Sequence, residues 1–137
     1  MKTKKVNRYW CDFCGKQGGS AGHMRNHERG CTMNPNRVCH VCRILENDQR
    51  TMAELVAVFD AQKAFHQADT DTTSWETWDS AVLNRNLAAL RHAAQECPAC
   101  IMAAIRQSKV PVPAVTDFNF TKAMQAIWDD VNDARAD

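Results

Sequence analysis

"CDFCGKQGGSAGHMRNHERGC", residues 11–31, places three cysteines and two histidines in one short stretch. Counted from its cysteines it reads C-x2-C-x12-H-x3-C, over Cys11, Cys14, His27 and Cys31. A tight turn between Cys11 and Cys14 sets two thiolates on one face of an ion. A helix carrying His27 and Cys31 about one turn apart then completes a tetrahedron, the geometry zinc takes with nitrogen and sulfur donors. His23 is a rival ligand: with His27 it would put two imidazoles one turn apart and leave Cys31 spare.

Outward from this stretch, Cys39-His-Val-Cys42 and Cys97-Pro-Ala-Cys100 are two more C-x2-C knuckles, with 54 residues between them. The seven cysteines and His27 make eight ligands, enough for two four-coordinate zinc ions. Four protein donors mark a structural site, because catalytic zinc keeps one position open for water. Three other readings stand beside this one. The knuckle at 97–100 has the form of a redox pair at a helix start. The four thiolates also suit an iron–sulfur cluster. Finally, Cys11, Cys14, Cys39 and Cys42 could form a ribbon, leaving His27, Cys31, Cys97 and Cys100 for the second ion.

The chain has 137 residues and is 45% apolar, which bounds it to one domain or a small module. No apolar run reaches the roughly 18 residues a membrane helix needs, so no membrane association is expected. "MKTKKVNRYW" is basic but leads into no apolar segment, so no signal peptide is expected. The expected compartment is a reducing cytoplasm, where thiols stay free to bind metal. Residues 1–43 hold nine Lys or Arg against Asp12 and Glu28, a charge of +7; the rest of the chain carries −6. A basic front on an acidic back implies surfaces with different partners.

After residue 43 the pattern turns helical. Thr51-Met-Ala-Glu54 forms a capping box that opens a helix expected to reach Ala68, with Met52, Leu55, Val56 and Phe59 on one face. "DTDTT" at 69–73 reads as a polar turn. Thr73-Ser-Trp-Glu76 reads as a second capping box, opening a helix to about Glu96 through Trp75, Trp78, Leu83, Leu87 and Leu90. The two helices form an antiparallel hairpin that brings residues 42 and 97 together, so the four-cysteine site clips its base. Pro98 starts a new helix to about Gln107. "VPVPAV" at 110–115 reads as a stiff extended connector. A last helix near 117–133 aligns Phe120, Met124, Ile127, Trp128 and Val131, with Asp129, Asp130 and Asp133 near its end. The expected class is a small, zinc-stabilised, mainly α protein. Its parts are a ββα-like finger with a basic arm (1–36), a zinc-clipped helical hairpin (37–109), and a linker with an acidic amphipathic helix (110–137).

Residues 9–31 resemble the zinc finger family that binds its ion through a cysteine pair and a histidine pair, here with Cys31 in place of the last histidine. Tyr9, "CGK" at 14–16 and Met24 match the family's flanking pattern. Its usual core Phe is Gly18 here, so the missing core would come from Trp10 or Phe13. The split knuckles resemble a zinc ribbon or treble clef with a helical insertion. The stretch 9–43 also resembles small zinc proteins encoded by bacteriophages, which implies a regulator, a host-system inhibitor or a minor virion component.

No Ser/His/Asp set, phosphate loop or carboxylate pair appears, and His40, His66 and His92 are isolated, so an enzyme is not expected. The finger resemblance implies nucleic-acid binding, DNA before RNA. It places Ser20, His23 and Asn26 toward base edges, with Lys16, Arg25 and Arg29 toward phosphates. One finger spans only about three base pairs, so a homodimer would help specificity. The other reading is a protein-interaction module that docks through the terminal helix. A strong chelator is expected to melt residues 1–43, which have little apolar core of their own.

Overall fold

The computed structural model describes residues 1–68 and 75–135. Strands β1 (Tyr9–Trp10) and β2 (Gln17–Gly18) pair antiparallel, with Tyr9 opposite Gly18 and Trp10 opposite Gln17. The turn between them needs Gly15 at φ +77°, a conformation costly for any side chain. Helix α1 (Ala21–Gly30) follows, capped by the Ser20 hydroxyl, which accepts from the His23 N–H. The expected ββα finger is therefore present.

Its small core is not the expected one. Trp10 and Phe13 are exposed. Met24 is buried with Cys11 and Cys31 instead, and Tyr9 and Met33 pack against them. The physical reason lies at Gly18, where a Cβ would sit 3.3 Å from the Met24 methyl. The absent side chain makes room for a long, adaptable methionine, which fills the gap from the helix side.

The larger core belongs to the helices. A short helix α2 (His40–Ile44) leads to α3 (Met52–Phe59), which begins at Thr51 as expected: Thr51 Oγ1 accepts from the Glu54 N–H at 3.2 Å. The helix then stops well short of Ala68. Asp60 takes a left-handed conformation (φ 46°, ψ 55°), and one 3₁₀ turn (Ala61–Ala64) leads into strand β3 (Phe65–Ala68). Strand β4 (Trp75–Trp78) pairs with it antiparallel, Phe65 opposite Trp78. Over Phe65–Ala68 and Trp75–Trp78 the expected helices are thus replaced by an antiparallel strand pair, and over Ala61–Ala64 by the 3₁₀ turn. Aromatic and β-branched residues favour a pleated surface, and Phe65 and Trp78 meet edge to face with centroids 5.1 Å apart. Thr73, Ser74 and the expected turn at 69–73 lie outside the described residues, while Glu76 is in β4. The next helix, α4 (Ser80–Ala93), is capped by Asp79, whose carboxylate accepts from the N–H groups of Ala81 and Val82.

Helix α4 ends three residues before Glu96, with Gln95 and Glu96 both at positive φ (54° and 63°). This sharp reversal feeds α5 (Pro98–Gln107), with Pro98 in its first turn as expected. Helix α3 packs against both α4 and α5. Leu55, Phe59, Leu83, Leu87, Leu90 and Ile105 are all fully buried at this junction. The segment 110–115 is not a free spacer: Val112–Ala114 form a 3₁₀ turn, and Val110 and Val115 are buried. Helix α6 (Phe120–Arg135) lays Phe120, Met124 and Ile127 on the core and leaves Trp128 exposed. The result is the small, mostly helical fold with cysteine-rich sites that the pattern implied. No helix among the described residues is long and apolar enough to cross a membrane.

Candidate metal centres

Two groups of four donors form, with the membership the spacing implied. Cys11, Cys14, His27 and Cys31 make one, and Cys39, Cys42, Cys97 and Cys100 the other; the donor atoms of each lie within 4.8 Å of one another. Within the second group, Cys39 Sγ is 3.5 Å from Cys97 Sγ, and Cys42 Sγ is 3.4 Å from Cys100 Sγ. A tetrahedron with metal–sulfur arms of about 2.3 Å has edges of about 3.8 Å, so this spacing fits one zinc-sized ion. A disulfide needs about 2.05 Å, and all seven cysteines are free.

The competing sequence readings fare less well. Ribbon pairing of Cys11 and Cys14 with Cys39 and Cys42 does not occur, and His23 lies outside both groups. Each thiol of the 97–100 pair lies close to a thiol of the other knuckle, and both are buried, an arrangement ill suited to a redox pair that a substrate must reach. Thiolates distributed over the separate irons of a cluster would stand further apart than ligands of a single ion.

Local backbone geometry explains how each group is held. The Phe13 N–H points at Cys11 Sγ (3.4 Å) and the Cys42 N–H at Cys39 Sγ (3.4 Å), as knuckle turns provide for a thiolate. Helix α1 brings His27 Nε2 to 3.2 Å from Cys14 Sγ. Cys31 follows as its C-cap, with its N–H on the Glu28 carbonyl. The two knuckles of the buried group are tied beside the sulfurs. The Asn47 side chain donates to the Gln95 carbonyl at 3.1 Å, and the Gln95 amide exchanges hydrogen bonds with the Asp48 backbone. Gln49 accepts from the Cys39 N–H (2.8 Å) and donates to the Arg37 carbonyl (2.7 Å).

The electrostatics call for a cation. Hydrogen bonds donated by Cys100 and Cys97 keep Cys39 ionised, well below the ordinary thiol range. Cys100, as donor to Cys39 and Cys97, is driven far upward. Cys97 accepts from Cys100, yet its own donation to Cys39 and its burial push it up to about 12. Burial raises Cys42. In the finger, burial pushes Cys31 up to about 11. Burial opposes ionisation of Cys11 too, but the N–H groups of Cys14 and Phe13 outweigh it and hold that thiol low. Crowded, buried sulfurs cannot all ionise unless a positive charge sits among them.

A residue that the spacing did not single out supports the same conclusion. Arg37 is buried at 7% exposure, with Nη1 3.5 Å from Cys100 Sγ and Nε 3.4 Å from the Gly30 carbonyl. It makes no ion pair with a carboxylate among the described residues. Four thiolates around a divalent ion carry a net charge of −2, which supplies the partner a buried guanidinium needs. Its only sequence signal is a basic residue two positions before a knuckle. The donor sets and their spacing fit zinc in both groups, and Arg37 adds to this at the four-cysteine group.

Hydrogen bonds from the end of α5 join the segment after the finger to the helical core. Arg106 donates to Thr32 Oγ1 (2.8 Å), and the Gln107 amide donates to the carbonyls of Thr32 (2.7 Å) and Asn34 (3.0 Å). Asn34 in turn donates to the Glu28 carbonyl at 2.7 Å. The residues expected to meet nucleic acid, Lys16, Ser20, His23, Arg25, Asn26 and Arg29, are all exposed. Comparison of the chain with protein-family models, curated proteins and solved structures found no match.

Proposed function

We propose that this chain is a non-catalytic protein that binds two structural zinc ions and, through the outer face of α1, nucleic acid, duplex DNA in preference to RNA. Four protein donors at each centre leave no ligand position for a reacting water. The ions supply folding free energy, on the order of 10 kcal/mol for a finger-type site. The observation that carries the nucleic-acid reading is the charge of α1. Arg25, Arg29 and, on the strand hairpin, Lys16 are exposed and make no ion pair among the described residues. The helix's one acid, Glu28, directs its carboxylate to the Asp12 N–H at 3.0 Å and makes no ion pair with either arginine among the described residues. Ser20 at the N-cap and His23 and Asn26 on α1 follow one another at three-residue steps and carry groups able to bond base edges.

The test is a titration of labelled duplex DNA and duplex RNA at two salt concentrations, with wild type and the Arg25→Ala/Arg29→Ala double variant. The reading expects salt-dependent binding whose log–log slope shrinks by about 2 in the variant, one for each lost phosphate contact. No binding to either duplex at low salt would overturn it. That outcome would favour the protein-interaction reading, for which Trp128, exposed on α6 beside Asp129 and Asp130, is the supporting observation.

A further inference from the structure

A cleft of about 380 Å³ lies where the end of α1 meets the Cys39 knuckle, lined by Asn26, Arg29, Gly30, Val38, His40 and Arg43. We propose that this cleft is a phosphate clamp for the DNA backbone, in which Arg43, outside the finger, joins Arg29 in gripping one strand. The proposal rests on the nucleic-acid reading above and extends it to a second part of the chain.

Four observations carry it. The first is composition: two guanidiniums, an imidazole and an amide converge on the cleft, and no carboxylate lines it. Neither Arg29 nor Arg43 makes an ion pair among the described residues. Two unpartnered like charges sharing a small concavity repel each other, and an anion between them relieves that repulsion.

The second is rigidity. The Val38 N–H donates to the Arg29 carbonyl at 2.9 Å, which joins the two walls directly. Arg37 pins the same junction from beneath, through the Gly30 carbonyl and Cys100 Sγ. Each wall therefore abuts a four-donor centre, and the backbone that carries the two arginines is braced before any ligand arrives.

Third comes position. Asn26 belongs both to the base-facing row of α1 and to the rim of the cleft. A strand whose bases meet Asn26 and His23 would continue past Arg29 and Arg43 along its backbone. A finger alone covers about three base pairs, and this added contact lengthens the footprint without a second copy of the chain.

The last is chemical match: the planar guanidinium fork suits phosphate oxygens, and two forks facing one cleft suit a phosphodiester.

The experiment uses the full-length, metal-loaded chain and a short labelled duplex DNA, comparing wild type with Arg43→Ala, Arg43→Lys and the remote control Arg85→Ala. Metal content and thermal midpoint verify that each variant is folded. The clamp predicts that Arg43→Ala loses about tenfold in affinity and that its salt slope falls by about 1, with Arg43→Lys intermediate and Arg85→Ala unchanged. A scan of single methylphosphonates, which are uncharged, then locates the contact. One position should weaken wild type several-fold and leave Arg43→Ala unaffected. If wild type binds DNA and Arg43→Ala binds equally well, the clamp is overturned while the broader reading stands. If Arg43→Ala is weaker but no methylphosphonate penalty disappears in it, Arg43 does not touch a phosphate and the clamp is again overturned. Absence of any duplex binding by wild type overturns both.

Discussion

Replacing Arg37 with methionine keeps most of its volume and removes its charge, which isolates what the guanidinium does for the buried centre. Its Nη1 lies 3.5 Å from Cys100 Sγ. At that distance one unit charge on each partner attracts by roughly 5 kcal/mol at an effective dielectric constant of about 20. Taking a guanidinium out of water costs several kcal/mol, so the net contribution is about 1–3 kcal/mol. Arg37→Met should therefore weaken metal binding at the four-cysteine site by about 10–100-fold, the usual effect of losing a group that supports the ligands of a metal. The assay is competition with a chromophoric chelator, monitored at each centre separately by substituting cobalt for zinc. The finger site should shift far less, because Arg37 touches it only through the Gly30 carbonyl. A control distinguishes charge from packing: in the metal-free protein, where the net −2 charge is absent, the same substitution should cost much less stability. Equal metal affinity in Arg37→Met and wild type, or an equal loss of stability with and without metal, would refute the assignment of Arg37 as the counter-charge.

Other outcomes follow from the same geometry. Binding of metal at the buried centre must displace the protons of Cys42, Cys97 and Cys100, whose thiols are raised, while Cys39 is already ionised. Protons and metal compete there, so affinity falls as pH falls, by about three decades per pH unit around neutrality; a plot of log affinity against pH that is nearly flat would contradict this. Phe59→Ala, at a fully buried site between α3 and its partners, should cost about 3–5 kcal/mol in urea unfolding of the metal-loaded chain. Asp79→Ala removes the cap of α4 and should cost about 1 kcal/mol by the same measurement. A strong chelator should melt the finger by circular dichroism, and since the buried cysteines belong to the main core, it should loosen the packing of α3–α5 as well. Unchanged spectra with the metal removed would contradict that.

The metal ligands were legible because coordination imposes short, fixed spacings that a sequence displays directly. Cys11, Cys14, His27 and Cys31 follow one such spacing, and the two distant knuckles were paired by counting donors. The capped helix start at Thr51 was equally readable, as was the proline start at Pro98, whereas the Ser20 cap of α1 was not singled out. The β-hairpin was not. Residues 60–68 and 75–79 carry apolar positions compatible with either period, and the switch depends on Asp60 adopting a left-handed conformation that aspartate tolerates but does not announce. The finger's core was misassigned because the gap at Gly18 suggested a missing aromatic, whereas Met24 reached in from the helix. Arg37 and the Gln49 and Gln95 amides act through tertiary neighbours, so apart from Arg37's place two residues before a knuckle the local pattern held no trace of their roles.

Native mass spectrometry of the chain, purified with zinc and compared with His27→Ala and Cys97→Ser, probes the whole reading at its root. Two bound zinc ions are expected in the wild type and one in each variant, with every thiol reduced. A wild type that carries fewer than two ions, or a mass showing cysteines joined to each other, would contradict it.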